Sequence, residues 1–300
     1  MESIKQRLIP LFAIAINMFC LTANAQQIKT LRTAPLQLTY YNATEAAFGV
    51  TSVLISGKSD AILIDAQFTL PDAQNVVNEI KRSGKHLKAI FISYGDPDFY
   101  FGLELIRKEY PDVSVYATAA TIQHIKATYK EKLAYWGNIF KDAIPKMVII
   151  PDLLPGNNLK LEGKTLSLIN VPGSPVRSFI WIPSIKAVVG GINVFGNDFH
   201  LWMADDATAA KRALWINALD KIIALHPIVV IPAHFGKGAA LSIASVEYTK
   251  TYIKTYQKQL EKDKTSAALI KDMKAKYPNA TFLTALELGS KVNTGEMQWP

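Results

Sequence analysis

Apolar and polar positions alternate in short runs along the first third of the chain. Leu36 to Tyr41, Val50 to Ile55 and Ala61 to Ile64 each carry the two-residue period of a strand, and Gly57-Lys58-Ser59-Asp60 supplies a turn between the second and third. After Asp65 the period changes. Val76, Val77 and Ile80 fall on one helical face, with Pro71 near the start and Gly84 at the stop. Leu87 to Ile92 is a continuous apolar run, as in a strand buried on both faces. A helix after Phe101 ending before Pro111, a strand at Val113 to Tyr116, and a helix with Ile122, Ile125 and Tyr129 on one face complete the first half.

The second half reads as hairpins and then helices. A strand is expected at Met147 to Ile150. Leu159 to Leu161 and Thr165 to Ile169 should pair around Glu162-Gly163, and Phe179 to Ile182 with Ala187 to Val189 around Pro183-Ser184. A helix follows over Ala209 to Leu225, then a short buried strand at Ile228 to Ile231 and a loop, Pro232-Ala233-His234-Phe235-Gly236. Two amphipathic helices separated near Asp263 are expected from Ser242 to Lys276. This order argues for layered α/β architecture.

Candidate chemistry concentrates after the Leu87 to Ile92 strand. The loop Ser93-Tyr94-Gly95-Asp96-Pro97-Asp98-Phe99 presents two carboxylates where a chain leaves a buried strand, a common place to hold a metal or a reacting group. This stretch resembles the His-x-His-x-Asp-His loop of the metallo-β-lactamase superfamily. Tyr94 and Asp96 take the first two His positions, Asp98 keeps the Asp, Phe99 takes the third His, and Gly102 fits the following glycine. Four further landmarks resemble the family in order. They are Phe48 to Asp65 for the opening hairpin, Val171-Pro172-Gly173-Ser174 for the usual Pro-Gly-His, Val188-Val189-Gly190-Gly191 for the usual Gly-Asp, and Ile231-Pro232-Ala233-His234 for the final Pro-Gly-His. The chain is also similar to a divergent secreted subgroup with Asp-Pro-Asp in the central loop. The resemblance implies an αββα four-layer sandwich over residues 26–236, with a helical C-terminal extension over 237–300.

The resemblance also implies a site at which two zinc ions normally share an activated water, whose pKa falls to about 7. Here only Asp98 and His234 survive by type, and the bridging Asp has become Gly191, so a family-style binuclear centre is not expected. Two readings stay open. In one, Asp96, Asp98 and His234 hold a single divalent ion (Zn²⁺, Mn²⁺ or Fe²⁺), Tyr94 and Asp98 take part in catalysis, and the reaction is hydrolysis of an ester, lactone, amide or phosphoester. In the other the site is metal-free and the chain is a pseudoenzyme that binds a ligand in the periplasm. Tyr100, Ser174, His200 and Trp202 are candidates to contact the small-molecule substrate or ligand. The alternatives are core packing for Tyr100 and Trp202, and a loop hydrogen bond for His200. Asp205 and Asp206 read as caps of the following helix, and Asp65 as a hydrogen-bonding support for the loop.

Charge and composition narrow the classes. Met1 to Ala25 has the grammar of an export signal: Lys5 and Arg7, an apolar run from Leu8 to Leu21, and Ala23-Asn24-Ala25 before a cleavage expected at Gln26. The protein is therefore expected in the periplasm or outside the cell. The single cysteine, Cys20, lies inside that segment, so the remaining chain has no thiol chemistry. The net charge of +8 is spread, mildly denser between Lys250 and Lys276, with no basic patch interleaved with aromatics, which argues against nucleic acid. No second apolar run is long enough to span a bilayer, and no oligomeric state follows from the sequence.

Overall fold

The computed structural model describes residues 26–298; the expected export segment, with Cys20, lies outside them. The chain runs β1 (Gln27–Leu31), β2 (Gln37–Asn42), β3 (Thr51–Ser56), β4 (Asp60–Ile64), α1 (Leu70–Ser83), β5 (His86–Ile92), α2 (Pro97–Tyr100), α3 (Leu103–Glu109), β6 (Ser114–Ala117) and α4 (Ala119–Phe140). It continues through β7 (Asp152–Leu153), β8 (Asn158–Leu161), β9 (Lys164–Val171), β10 (Ser174–Ile182), β11 (Ala187–Val189), α5 (Ala209–Ala224), β12 (Val229–Val230), α6 (Ile243–Lys262), α7 (Ser266–Lys276) and α8 (Leu283–Asn293).

The strands form two sheets, one ordered β1-β2-β3-β4-β5-β6-β7 and the other β12-β11-β10-β9-β8. Because side chains alternate across a strand, each central strand feeds two cores. Val53 and Ile55 of β3, Ile62 and Ile64 of β4, and Ala89 and Phe91 of β5 meet Ile180, Ile182, Ala187 and Val189 of the facing sheet in one cluster. Their neighbours Leu54, Leu63, Ile90 and Ile92 point outward, into a cluster with Val76, Val77 and Ile80 of α1 and Ile106 of α3. On the far side Phe179 and Val188 join Trp215, Leu219 and Ile222 of α5. The result is the expected αββα sandwich with further helices after it.

Helix starts follow local chemistry. Thr69, Thr118, Thr208 and Thr265 cap α1, α4, α5 and α7 by accepting from a backbone N–H in the first turn, and Gly84 closes α1 in the left-handed conformation. The cap of α5 is therefore Thr208 and not Asp205 or Asp206.

Two local expectations change, and one helix is located within an expected helical stretch. Met147 to Ile150 forms no strand; Val148, Ile149 and Ile150 pack irregularly against the core. Pro151, which has no N–H to donate, follows them, and the edge strand is the two-residue β7 beyond it. Val171 to Ser174 is not an open strand end: Ser174 pairs with Val171 across a tight turn in which Gly173 has φ of 77°. The helix α8 lies within the helical extension expected over 237–300, although no separate element was placed at its residues. It starts without a side-chain cap, from Phe282 in the left-handed conformation, so no start signal appears in the sequence.

Candidate functional site

A cavity of about 340 Å³ opens where the loops after β5 and β12 meet α4. Asp96, Asp98, Lys132 and His234 are among its polar lining residues, with Thr128, Glu131 and Asp205. Phe48, Phe68, Trp136, Phe195, Trp202 and Phe282 supply most of its apolar walls. Of the residues singled out in the sequence, the fold brings Asp96, Asp98, His234 and Trp202 to this cavity. Tyr94, Tyr100, Ser174 and His200 do not line it. Tyr94 is buried edge-on to Phe99, with ring centroids 5.4 Å apart. Tyr100 is buried in the core against Phe101. Ser174 opens β10 at the hairpin turn. His200 is fully buried, with Nδ1 2.8 Å from the Tyr252 hydroxyl.

The strongest polar contact at the site involves a residue the sequence reading passed over. The Lys132 ammonium donates to Asp96 Oδ1, and His124 Nε2 lies 3.4 Å from the same oxygen. Both come from α4, on the face that carries residues 124, 128 and 132 at helical spacing. Gly95 permits the approach, since a Cβ there would stand 2.6 Å from His124 Cδ2. Burial alone would raise the Asp96 carboxyl. The Lys132 charge and the hydrogen bonds from His124 and Lys132 outweigh it and hold Asp96 down to about 2. Burial would likewise lower Lys132, but the facing Asp96 carboxylate turns the balance upward. A charged pair is therefore seated at the floor of the cavity.

Asp98 sits in the opposite regime. Burial first, and then the nearby Asp96 charge, push its carboxyl well above the usual range. His234 Nε2 lies 3.4 Å from Asp98 Oδ2. The other nitrogen, Nδ1, is 3.1 Å from the Phe48 carbonyl, which can only accept, so Nδ1 carries the proton and Nε2 presents its lone pair toward Asp98. Burial holds His234 down to about 4. The ring stacks on Phe195, at 5.0 Å and 21°, and meets Phe99 edge-on at 5.7 Å. Burial thus works against the charged form of both Asp98 and His234, beside the charged Asp96–Lys132 pair. Burial also raises Tyr94 strongly, with Asp96 adding to the effect, so its phenol stays protonated.

A second layer fixes the loop. Asp65 accepts from Ser93 N at 2.7 Å and Ser93 Oγ at 2.6 Å, and Ser93 Oγ accepts from Gly191 N at 2.7 Å. Burial lifts Asp65 to about 7 against these hydrogen bonds. Asp198 accepts from Gly236 N and Gly238 N, at 3.0 and 2.9 Å, and so ties down the loop after His234. Asp206 pairs with Arg177, whose guanidinium lies 4.1 Å from the Trp215 ring centroid.

The sequence matches the family model of the metallo-beta-lactamase superfamily over residues 46–234. The chain belongs to the metallo-beta-lactamase superfamily. Solved structures agree on the fold. A metallo-beta-lactamase from Pontibacter korlensis superposes with a TM-score of 0.54 at 17% identity, over 76% of this chain and 99% of that one. VMB-1 gives 0.53 at 15%, over 78% and 98%, and the DIM-1 metallo-beta-lactamase gives 0.51 at 18%, over 77% and 97%. No curated protein sequence matches the chain.

Members of the superfamily generally bind zinc, and the residues here do not fit a two-zinc centre. Lys132 already places a positive charge on Asp96. Phe99 is fully buried and apolar where a ligand stood. A Cβ at Gly191, where the bridging Asp belongs, would stand 2.0 Å from Ser178 O, and φ is 72°, so no side chain is accommodated there. Among the described residues no group of three or more His, Cys, Asp or Glu is disposed to hold a metal ion. Among the same residues no helix is long and apolar enough to cross a membrane.

Proposed function

We propose that this metallo-β-lactamase-fold protein has exchanged its metal centre for an internal ion pair and binds a small, largely apolar molecule without hydrolysing it through a metal. One observation carries the reading: the Lys132 ammonium seated on Asp96 at the floor of an aromatic cavity. A cation on a tether meets the carboxylate's demand for charge, and a free metal ion must displace it to bind. The cavity volume and its mixture of aromatic walls with a few convergent polar groups suit a small ligand.

The test is elemental analysis of protein purified without chelator or a nickel column, with Lys132→Met alongside. The expected result is no stoichiometric metal in the natural protein after incubation with zinc, manganese or iron. One equivalent bound in the natural protein, and lost in His234→Ala, would overturn the reading.

A second reading, a single-metal hydrolase acting on an ester, lactone, amide or phosphoester, draws support from two observations. Asp96, Asp98 and His234 line one cavity, and the Nε2 lone pair of His234 faces Asp98. In that reading Asp98 is both ligand and participant in catalysis; Tyr94, buried beside Phe99 and outside the cavity lining, takes no part. The same elemental analysis separates the two.

We also infer export with cleavage before Gln26, from Lys5, Arg7, the Leu8 to Leu21 run and Ala23-Asn24-Ala25. N-terminal sequencing of protein from the periplasmic or secreted fraction checks it; a retained Met1 would refute it. Residues 237–300 are proposed as an extension packed on the domain. They contribute Phe282 and Met297 to the cavity, and Phe282 N donates to Glu45 Oε1 at 2.9 Å.

A further inference from the structure

We propose that the cavity takes a molecule bearing a hydroxyl on an aromatic body, with the hydroxyl seated between His234 Nε2 and Asp98. The inference rests on the binding reading above and names its ligand class. It starts from an unmatched hydrogen-bonding atom. His234 Nδ1 donates to the Phe48 carbonyl at 3.1 Å, which leaves Nε2 as an acceptor. Among the described residues no donor is hydrogen-bonded to Nε2. It faces Asp98 Oδ2 at 3.4 Å, longer than the roughly 2.9 Å usual for a hydrogen bond. The two side chains are only 5% and 12% exposed, and both residues line the cavity. A buried acceptor left unpaired is costly. A guest oxygen about 2.8 Å from each atom can stand over the pair. A hydroxyl can donate to Nε2 and accept in the same place, so it serves Asp98 with or without its proton. An ether or carbonyl oxygen only accepts and leaves Nε2 unmatched; an ammonium only donates.

The wall argues for the aromatic body. Phe195 stacks on the His234 ring at 5.0 Å and 21°, so the acceptor is set into an aromatic surface. Phe48 stands 5.3 Å from Trp136 and 4.9 Å from Phe68, centroid to centroid, and forms an aromatic panel with them. Phe282, 6.0 Å from Phe48, extends that panel. A guest ring gains edge-to-face and offset-stacked contacts with these side chains beyond what its buried area returns. Lys132 and Asp96 are committed to each other and do not ask the guest for charge. A ring that meets the panel and one hydroxyl that meets Nε2 satisfy both features at once.

The experiment is titration of the mature protein with 4-propylphenol, 4-propylanisole and 4-propylcyclohexanol, followed by tryptophan fluorescence excited beyond the phenol absorption band. The phenol should bind about tenfold tighter than the anisole, which keeps the ring and loses the donor. It should bind about threefold tighter or more than the cyclohexanol, which keeps the hydroxyl and loses the ring. In His234→Asn the amide nitrogen can still donate to the Phe48 carbonyl but Nε2 is gone, so the phenol's advantage over the anisole should fall to about twofold or less. Circular dichroism and thermal unfolding check the fold of this variant. If it does not fold, the nitrogen-15 spectrum of the natural protein decides: the Nε2 resonance should move further upfield with the phenol than with the anisole. Equal affinity for phenol and anisole, an equal or tighter cyclohexanol, or no response to any probe overturns the hydroxyl inference and leaves the binding reading standing. A preference unchanged in folded His234→Asn, or an Nε2 resonance that phenol and anisole move alike, also overturns it. The binding reading fails separately, by a stoichiometric metal in the elemental analysis.

Discussion

Removing the Lys132 ammonium tests the ion pair directly. In Lys132→Met the side chain keeps its length and apolar stem, and Asp96 loses the charge that holds its carboxyl down to about 2. Breaking a sealed buried pair by deleting one partner costs about 3–5 kcal/mol. The Lys132 and Asp96 side chains are 25% and 15% exposed, so water relieves part of this and the expected loss lies near the lower bound, about 3 kcal/mol. An independent route gives a similar size: lowering Asp96 from 3.8 to about 2 corresponds to about 2 kcal/mol. The folded carboxyl is the stronger acid, so this contribution is complete above about pH 4 and lost as the pH falls toward 2. Urea unfolding at pH 7 should therefore place Lys132→Met about 2–3 kcal/mol below the natural protein. Lys132→Met/Asp96→Asn should recover most of the loss, because the stranded charge is gone. A single variant within about 0.5 kcal/mol of the natural protein, or a double variant no better than the single, would refute the reasoning.

Three further outcomes follow from the geometry. Burial holds His200 down to about 4. The unfolded chain therefore takes up a proton first as pH falls from about 6.5 to about 4, and the stability this group gives at neutral pH is lost across that window. The unfolding free energy of His200→Gln relative to the natural protein should shift in the variant's favour by about 3 kcal/mol over it; a constant difference would show that His200 titrates normally. Gly191→Asp should fail to create a bridging ligand and should destabilise by more than about 2 kcal/mol in thermal unfolding, because its Cβ would stand 2.0 Å from Ser178 O at a positive φ; unchanged stability with bound zinc would contradict this. Ser93→Ala removes the Oγ that joins Asp65 to Gly191 N, and should cost about 1–3 kcal/mol in chemical unfolding; a loss below about 0.5 kcal/mol would show the link to be dispensable.

The sandwich was legible because period-2 alternation survives in the central strands: Leu54 and Leu63 against Val53, Ile55, Ile62 and Ile64 assign faces before any coordinates are known. The order of landmarks from Asp65 to His234 located the loops. The partners of the loop residues were not legible. Lys132 and His124 lie 36 and 28 residues from Asp96, on a helix whose periodicity showed only its apolar face. Their spacing from residue 124 to 128 to 132 was the available signal, but nothing local says which face of α4 closes on the loop. Likewise Phe282 reaches the cavity from a helix without a cap. Gly191 was readable as a lost ligand, whereas its contact with Ser178 O needed the paired backbone.

Phe48 does two jobs with one residue. Its ring is part of the aromatic panel, and its carbonyl, 3.1 Å from Nδ1, fixes the tautomer of His234. Its backbone is left-handed, with φ of 64°, a conformation that costs a bulky residue about 1–2 kcal/mol and leaves little room for ring and carbonyl to move independently. A guest molecule that pushes the ring aside must therefore disturb the imidazole hydrogen bond as well. His234 then serves as an internal spectroscopic reporter, whose ring nitrogen resonances register occupancy of the cavity without any label on the guest.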